Sequence, residues 1–432
     1  MVKKPKRNRK KSPKHSPEEA FLRSLGLKSL SKKTVYDAKY LKLLEAAGGD
    51  PSILEAAGGD PSIQVDSTFS PEEEMDQMFL TEELARRTLS GDYQRILKTL
   101  KAFNSFVNLP KHPQKISDIG GGCGIFSMWL AKSYPKASLV VYDRSKQSLE
   151  IGALWAERLG LDNIQFRRTT YNELASTESA HDNDIVFVAQ GLDTDISPDQ
   201  EADLYFFSTA PADLYEKYSE RFRPIASVYS NLLKPKGVGI FIGPCSEWGY
   251  VCLFGEMKKN GFGVDWDSTY ARGEVKKTDT LISDSYVFFR KGMPTISDSG
   301  SEDARALYTC AKYYGKNYEI GNAELESYAE LFSDGTELAR FELEWKTGGR
   351  LLVRVLQKAG LILTIHTSTL GNRKGWLHSA ASIREMLNHA FQIQINHTNN
   401  EAVQVKTKKL HPQVEQLLSY YAEDDNELVS KI

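Results

Sequence analysis

The chain has 432 residues, 41% of them apolar and 26% charged, with a formal net charge of −2. That length suits two or three domains, and the composition excludes a wholly disordered chain, a collagen and a coiled-coil rod. The longest apolar runs, such as 237–243 and 361–365, fall far short of the ~20 residues that a membrane-spanning helix needs, so no membrane role is expected. No apolar stretch near the start reads as a secretory signal. The four cysteines, Cys123, Cys245, Cys252 and Cys310, include no pair at C-x-x-C spacing. They make neither a disulfide framework nor a cysteine-rich zinc site, and no metal is expected. They read as reduced thiols of a cytoplasmic or nuclear protein.

Residues 1–20 read as a disordered tail, charged and rich in proline. Met1–His15 holds eight Lys/Arg and no acid. Such an arm suits the phosphates of a nucleic acid or another acidic partner, or nuclear targeting. A solvated tail that aids solubility accounts for it equally well. Residues 21–91 read as a helical extension. Within them Leu44–Ile53, LEAAGGDPSI, is repeated letter for letter at Leu54–Ile63. Each copy has the form of a helix end, Leu-Glu-Ala-Ala followed by Gly-Gly, and two copies are too few for a solenoid. Ser70-Pro71-Glu72-Glu73-Glu74 is a helix start: a cap, a first-turn proline and acids over the positive end. Apolar residues recur at helical spacing from Leu84 to Phe106.

Residues 92–293 form the next domain, where short apolar strands alternate with helices from Ile116 onward, the pattern of an α/β sheet. Residues 294–304 are a Ser/Asp/Gly-rich linker. Residues 305–432 read as a smaller α+β module. In Ala339–Trp345 the residues Phe341, Leu343 and Trp345 alternate with charged ones, as in a half-buried strand. Tight turns lead to Arg350–Leu356 and Leu361–Thr367, giving an antiparallel meander. A helix near 380–391 and a strand near 391–396 are expected to follow.

The chemistry concentrates in Lys115–Leu130, KISDIGGGCGIFSMWL. A short strand ends in Asp118-Ile119-Gly120-Gly121-Gly122-Cys123-Gly124, and a helix begins. The glycines let the backbone turn sharply and let a ligand come close, and the helix start adds unpaired N–H groups and a positive dipole end. A dinucleotide fingerprint, G-x-G-x-x-G, would need glycine at 127 or 125, where the chain has Ser127 and Ile125. The spacing is instead D-x-G-x-G-x-G over Asp118, Gly120, Gly122 and Gly124. A second strand, Ala137–Tyr142, ends at Asp143, nineteen residues after Gly124. A carboxylate there is suited to accepting two hydrogen bonds.

The loop resembles motif I of the class I S-adenosylmethionine-dependent methyltransferases. The resemblance implies a seven-stranded Rossmann-like methyltransferase sheet over about Asp92 to Lys291, with S-adenosyl-L-methionine as cofactor. It implies that the loop, with Asp118, Gly120, Gly121, Gly122 and Gly124, wraps the methionine end. It implies that Asp143 holds the ribose, with Arg144 beside it. Where the family has an acid after the third strand (here Asn163–Arg167), this chain has Thr170 and Tyr171, which puts the adenine contacts in question. The fourth strand, Asp184–Ala189, ends at Gln190, which in the family faces the methyl group. A helix Ile225–Lys236, a fifth strand Val238–Ile242 and a last antiparallel strand Ser285–Arg290 complete the expected order.

The implied activity is direct methyl transfer to an acceptor that the sequence does not name. A long stretch after the fourth strand interleaves Asp193, Asp195, Asp199, Glu201, Asp203 and Asp213 with Tyr205, Phe206, Phe207 and Tyr215. It would suit a cationic or amine acceptor, or a basic peptide, and a solvated insertion explains it as simply. Asp193 is the acid best placed to act as a base, while His181 precedes the strand; no catalytic residue is assigned. Gln190-Gly191-Leu192-Asp193 is not the Asn/Asp-Pro-Pro-Tyr type of amino-methylating enzymes. Cys245 lacks the companion Pro-Cys of RNA cytosine-C5 enzymes. Trp248 and Tyr250 would serve as stacking platforms or as core. The competing reading is a catalytically inactive methyltransferase-like scaffold that binds partners through the tail and the C-terminal module.

Overall fold

The computed structural model describes residues 15–35, 37–49, 76–106, 109–176, 181–189, 212–245, 247–266, 268–272, 282–293, 300, 303–307, 309, 318–345, 350–358, 361–368, 373–379 and 428–429. The chain divides into two compact units, Met1–Leu174 and Ala175–Ile432.

The first unit opens with α1 (Pro17–Ser24), α2 (Lys32–Val35) and α3 (Ala38–Ala46). A capping box starts α1: Ser16 and Glu19 each take the other's backbone N–H, with Pro17 in the first turn. The first copy of the repeated decapeptide does end a helix. Gly48 turns at φ +78°, Gly49 N–H reaches Leu44 O at 2.9 Å and Gly48 N–H reaches Glu45 O at 3.0 Å, which is the Schellman arrangement. The second copy and the helix start at 70–74 lie outside the described residues. The long apolar pattern that follows is two helices, α4 (Glu82–Gly91) and α5 (Tyr93–Ser105). Their inward residues Leu84, Ile96, Leu100 and Phe103 are buried.

Next come β1 (Lys115–Ile119), α6 (Ile125–Ser133), β2 (Ser138–Asp143), α7 (Lys146–Arg158), β3 (Ile164–Arg168) and α8 (Tyr171–Ser176). The three strands are parallel, in the order β3-β2-β1. From Ile116 to Ile119, β1 is buried on both faces, as a parallel strand with helices on either side must be. The helical extension is locked to this sheet by polar anchors. Glu82 accepts from Trp155 Nε1 at 2.7 Å and from Arg86 at 2.5 Å, and also from Arg158. Asn104 donates to Glu18 and accepts from Trp129 Nε1, and Phe21 packs on the Trp129 ring at 5.2 Å.

The second unit begins with β4 (Asn183–Ala189), α9 (Ala212–Leu232), β5 (Leu233–Cys245) and α10 (Glu247–Lys259). Three antiparallel strands follow, β6 (Phe262–Val264), β7 (Tyr270–Arg272) and β8 (Ile282–Lys291). Here the order is β4-β5-β8-β6, with β4 and β5 parallel, β8 antiparallel to β5, and β7 paired to β8. The expected α/β class with a last antiparallel strand holds. The expected helix Ile225–Lys236 is corrected at both ends: it starts at Ala212 and stops at Leu232. Pro235 explains the stop, since it cannot continue a helix and pushes the residue before it to extended backbone. The chain enters β5 at Leu233 and bulges, pairing Asn183 with Leu233 and then Ile185 with Val238. Lys236 takes φ +69° inside that bulge. At Gly237 a Cβ would lie 2.9 Å from the Asn183 carbonyl, so only glycine fits.

The same unit ends in a second sheet, built from β9 (Tyr318–Ile320), α11 (Asn322–Leu331), β10 (Thr336–Trp345), β11 (Arg350–Lys358), β12 (Leu361–Ser368), β13 (Arg373–Ser379) and β14 (Leu428–Val429). It is antiparallel, ordered β14-β10-β11-β12-β13-β9. The expected meander is β10-β11-β12. Leu325, Leu331 and Phe332, from α11 and its C-terminal end, pack with Leu361, Leu363, Ile365 and Leu377 of the sheet. The helix and strand expected at 380–396 lie outside the described residues. No helix among the described residues is long and apolar enough to cross a membrane.

Candidate functional site

The β1–α6 loop is built by alternating glycines. Gly120, Gly122 and Gly124 sit at φ +70°, +53° and +69°, a region that side chains with a Cβ avoid. Gly121 is required for a different reason: a Cβ there would lie 2.5 Å from Asp118 Oδ2 and 2.8 Å from Val141. The loop therefore rests on the Asp118 carboxyl, while a Cβ on Gly122 would meet nothing within 4 Å among the described residues. The lower side of the loop is packed and Gly122 faces open space.

Asp118 lies under this loop with 0% exposure. Ser127, 1% exposed on α6, donates its hydroxyl to Asp118 Oδ2 at 2.8 Å. Among the described residues, Asp118 Oδ1 is buried with no hydrogen-bond partner. Burial, with the negative Asp143 nearby, pushes the Asp118 carboxyl up to about 7 against the opposing Ser127 bond. An orphaned buried carboxylate oxygen is costly, and it is where a cationic ligand group would gain most.

Asp143 ties the loop to the end of β2. Its Oδ2 accepts the Gly122 N–H at 2.7 Å and its Oδ1 the Ser145 N–H at 2.8 Å. Each oxygen keeps a further lone pair, so ribose-type hydroxyls can still be accepted. Burial raises its pKa, and the N–H bonds from Ser145 and Gly122 with the Arg144 charge oppose that rise. Arg144 is exposed, and its carbonyl accepts from Arg168 Nε at 3.0 Å.

Thr170 and Tyr171 open α8 through a second capping box. Thr170 Oγ1 accepts the Glu173 N–H at 3.2 Å, and Glu173 accepts the Thr170 N–H at 2.8 Å. The Tyr171 side chain turns toward β1, its hydroxyl donating to Ile119 O at 3.4 Å. Burial, Asp143 and Asp118 all raise the pKa of that hydroxyl. Asp118, Gly120, Gly121, Gly122, Gly124, Asp143 and Tyr171 thus converge within the first unit. Gln190 lies outside the described residues, as do Asp193 and the acidic–aromatic stretch through Phe207.

Three contributors escaped the sequence reading. Ser127 entered it only as a residue that was not glycine. Gly152 sits inside α7, where a Cβ would lie 2.5 Å from Phe166 and 2.6 Å from the Cys123 carbonyl; it lets the helix press against the loop. A glycine inside a helix was the available signal, because it costs about 1 kcal/mol unless packing demands it. Phe166 is the third, touching the places where Cβ atoms on Gly124 and Gly152 would be. Cys123 is buried and free, and burial with Asp143 nearby keeps its thiol protonated. Cys252 is pushed up to about 11 by burial. Tyr250 is core, fully buried with its hydroxyl on Gly243 O at 3.2 Å. The side chains of Cys245 and Trp248 lie outside the description.

Residues 103–189, about a fifth of the chain, match the sequence model of the family described as Methyltransferase small domain. A comparison with curated proteins finds no match. Among solved structures, precorrin-6y C5,15-methyltransferase from Geobacter metallireducens GS-15 is similar at 14% identity and a TM-score of 0.29, covering 45% of this chain and 86% of that one. A putative sarcosine dimethylglycine methyltransferase from Galdieria sulphuraria has 14% identity and a TM-score of 0.31, covering 48% and 88%. A SAM-dependent methyltransferase from Aquifex aeolicus has 15% identity and a TM-score of 0.29, covering 44% and 87%. At such scores these likenesses carry no argument about chemistry. The family match falls on the segment that carries the glycine loop and Asp143, and it supports the resemblance of that segment to the class I methyltransferases.

Proposed function

We propose that this protein is an S-adenosylmethionine-dependent methyltransferase that passes a methyl group directly to its acceptor. The observation that carries the reading is Asp118: a fully buried carboxyl with one unpartnered oxygen, beneath a loop that only glycine can form. The residues present fit the cofactor. Asp118 would meet its ammonium group, the loop N–H groups and the α6 start its carboxylate, and Asp143 its ribose hydroxyls.

The bound cofactor would supply a methyl group already made electrophilic by a sulfonium centre. The chain's own contribution is orientation. Rigid loop glycines, an aspartate fixed by two backbone donors and a serine-held carboxyl fix a ligand in one pose, and orientation alone can supply ~7–11 kcal/mol of a barrier.

RNA, basic proteins and small amines are the acceptor classes to screen. RNA is favoured by charge. The first unit carries 28 Lys/Arg against 21 Asp/Glu, and the second 27 against 36. Eight of those 28 lie in residues 1–15, so the tail accounts for the whole excess and would draw a polyanion to the loop's own unit. The test is calorimetric titration with S-adenosylmethionine, S-adenosylhomocysteine and NAD. Micromolar binding of the two sulfur ligands and none of NAD is expected. Absence of both would sink the reading and favour the inactive scaffold.

A further inference from the structure

Asp118 and Ser127 form a closed pair. Asp118, the fourth residue of β1, has no exposure, and Ser127, the third residue of α6, has 1%. A serine in the first turn of a helix can bond its hydroxyl to nearby backbone. Here the hydroxyl goes instead to a carboxyl nine residues back, at 2.8 Å from Oδ2. That same oxygen lies 2.5 Å from the place of a Cβ on Gly121. Hydroxyl and loop both sit on Oδ2, and the oxygen left over is Oδ1, which has no partner among the described residues. The charges around the pair are one-sided. Asp143 on β2 is the charged group that bears on Asp118, and it is negative. Tyr171 on α8 feels both carboxyls, Arg144 after β2 bears on Asp143 and on Tyr171, and burial keeps Cys123 of the loop neutral. Burial and Asp143 favour the neutral form of Asp118, and the Ser127 bond opposes them.

We propose that Ser127 is a positioning residue of the cofactor site: its hydroxyl holds Asp118 by Oδ2, leaves Oδ1 for the ligand's ammonium group, and keeps the carboxyl ready to release its proton when that group binds. The inference rests on the reading that this loop takes S-adenosylmethionine. The step balances. The carboxyl proton passes to solvent, the ammonium keeps its own protons, and the buried pair that results carries no net charge. Without the hydroxyl the carboxyl would hold its proton to higher pH, and the same ligand would have to displace a proton held more tightly.

The test is calorimetry on full chains of wild type, S127A and S127T, each checked by circular dichroism and thermal melting. S-adenosylhomocysteine is titrated from about pH 5.5 to about pH 8.5 in buffers of different ionisation enthalpy, so that released protons are counted along with affinity. The second ligand is 5′-methylthioadenosine, which has the nucleoside and the sulfur but no ammonium group; it reports any titration of Asp143 by itself. With the carboxyl held at about 7, wild type should release close to one proton per S-adenosylhomocysteine near the acid end and almost none near the alkaline end. In S127A the profile should move up by about one pH unit, the worth of one hydrogen bond to a charged group. Its affinity should be about tenfold below wild type near pH 6 and nearly equal to it at the alkaline end. S127T keeps the hydroxyl and should follow the wild-type profile, and 5′-methylthioadenosine should not tell the variants apart. A deficit in S127A that is the same at every pH would make Ser127 a packing residue and overturn the inference. So would proton-free binding of S-adenosylhomocysteine by wild type, a readout that holds even if S127A fails to fold. If wild type binds neither ligand at any pH, the cofactor reading itself falls and takes the inference with it.

Discussion

Asp118 in the first unit and Lys358 in the second are both buried charged side chains, 0% and 4% exposed, and they are provided for in opposite ways. Lys358, on β11, donates to Asp334 at 2.8 Å and lies 5.2 Å from the centre of the Trp266 ring. Among the described residues, Asp118 has a serine on one oxygen and nothing on the other, and the charge it feels from Asp143 has its own sign. A buried charge that has its counter-charge is a structural device. One that lacks it is a cost the fold carries until a ligand removes it. The glycines follow the same division. Gly122 faces open space, whereas the place of a Cβ on Gly375 of β13 lies 2.4 Å from Leu325 of α11.

The largest expected effect tests that division at Asp118. Its folded pKa of about 7 lies above the ordinary carboxylate value near 4. A raised carboxyl contributes stability that is fully present below the unfolded value and is lost as pH rises through the folded one. The ligand-free protein should therefore lose stability between roughly pH 4 and 7, by about 4 kcal/mol in all. Asp118→Asn should remove that slope and melt higher than wild type at pH 8 while no longer binding S-adenosylmethionine. Equal pH profiles for the two proteins would mean that the carboxyl is not orphaned.

Next in size is Asp143→Ala. It removes the acceptor of the Gly122 and Ser145 N–H groups as well as the proposed ribose partner. Two charge-assisted hydrogen bonds at ~1.5 kcal/mol each predict cofactor binding weaker by about 100-fold in calorimetry. A loss under threefold would show that the loop holds its shape without Asp143.

The legible part of the site was the part made by neighbours in sequence. Glycine at 120, 122 and 124 declares a backbone that other residues cannot adopt, and Asp143 is marked by closing the next strand. Asp118 was legible as a residue but not as a buried one, because its burial is made by Val141 and Ser127 packing round it. Ser127 and Phe166 act only through approach in space, and no local pattern announces them; Gly152 was signalled only as a glycine inside a helix. In the second unit the expected helix ran past Pro235 to Lys236, yet the strand begins two residues before that proline, because Asn183 pairs with Leu233 across the bulge. Strand β13, RKGWLHS, was missed. Its third residue is Gly375, which weakens a strand by propensity and is needed because α11 lies against it.

The glycine contrast gives a third prediction. Gly375→Ala drives a methyl into Leu325 and should cost about 1–3 kcal/mol of stability, as overpacking does, with cofactor affinity unchanged. Gly122→Ala meets no atom, and its cost is the left-handed backbone alone, ~1–2 kcal/mol; cofactor affinity should fall with it, because the methyl enters the space a ligand would use. If both variants lost stability and both kept full affinity, Gly122 would not face the ligand.

The smallest effect belongs to Lys358, and its size is what makes it informative. Lys358→Met keeps the unbranched stem against Trp266 and removes the charge. Asp334 is half exposed in its side chain, so water can take over its solvation once the ammonium is gone. The buried lysine also no longer has to be desolvated, which offsets the lost ion pair and cation–π contact. Destabilisation of about 1 kcal/mol or less is expected by chemical denaturation, with no dependence on cofactor. The same neutralisation at Asp118 should move stability by several times as much and in the opposite direction. A loss above about 3 kcal/mol at Lys358 would mean that partnered and unpartnered buried charges cost this fold alike, and the orphaned carboxylate would cease to mark a binding site.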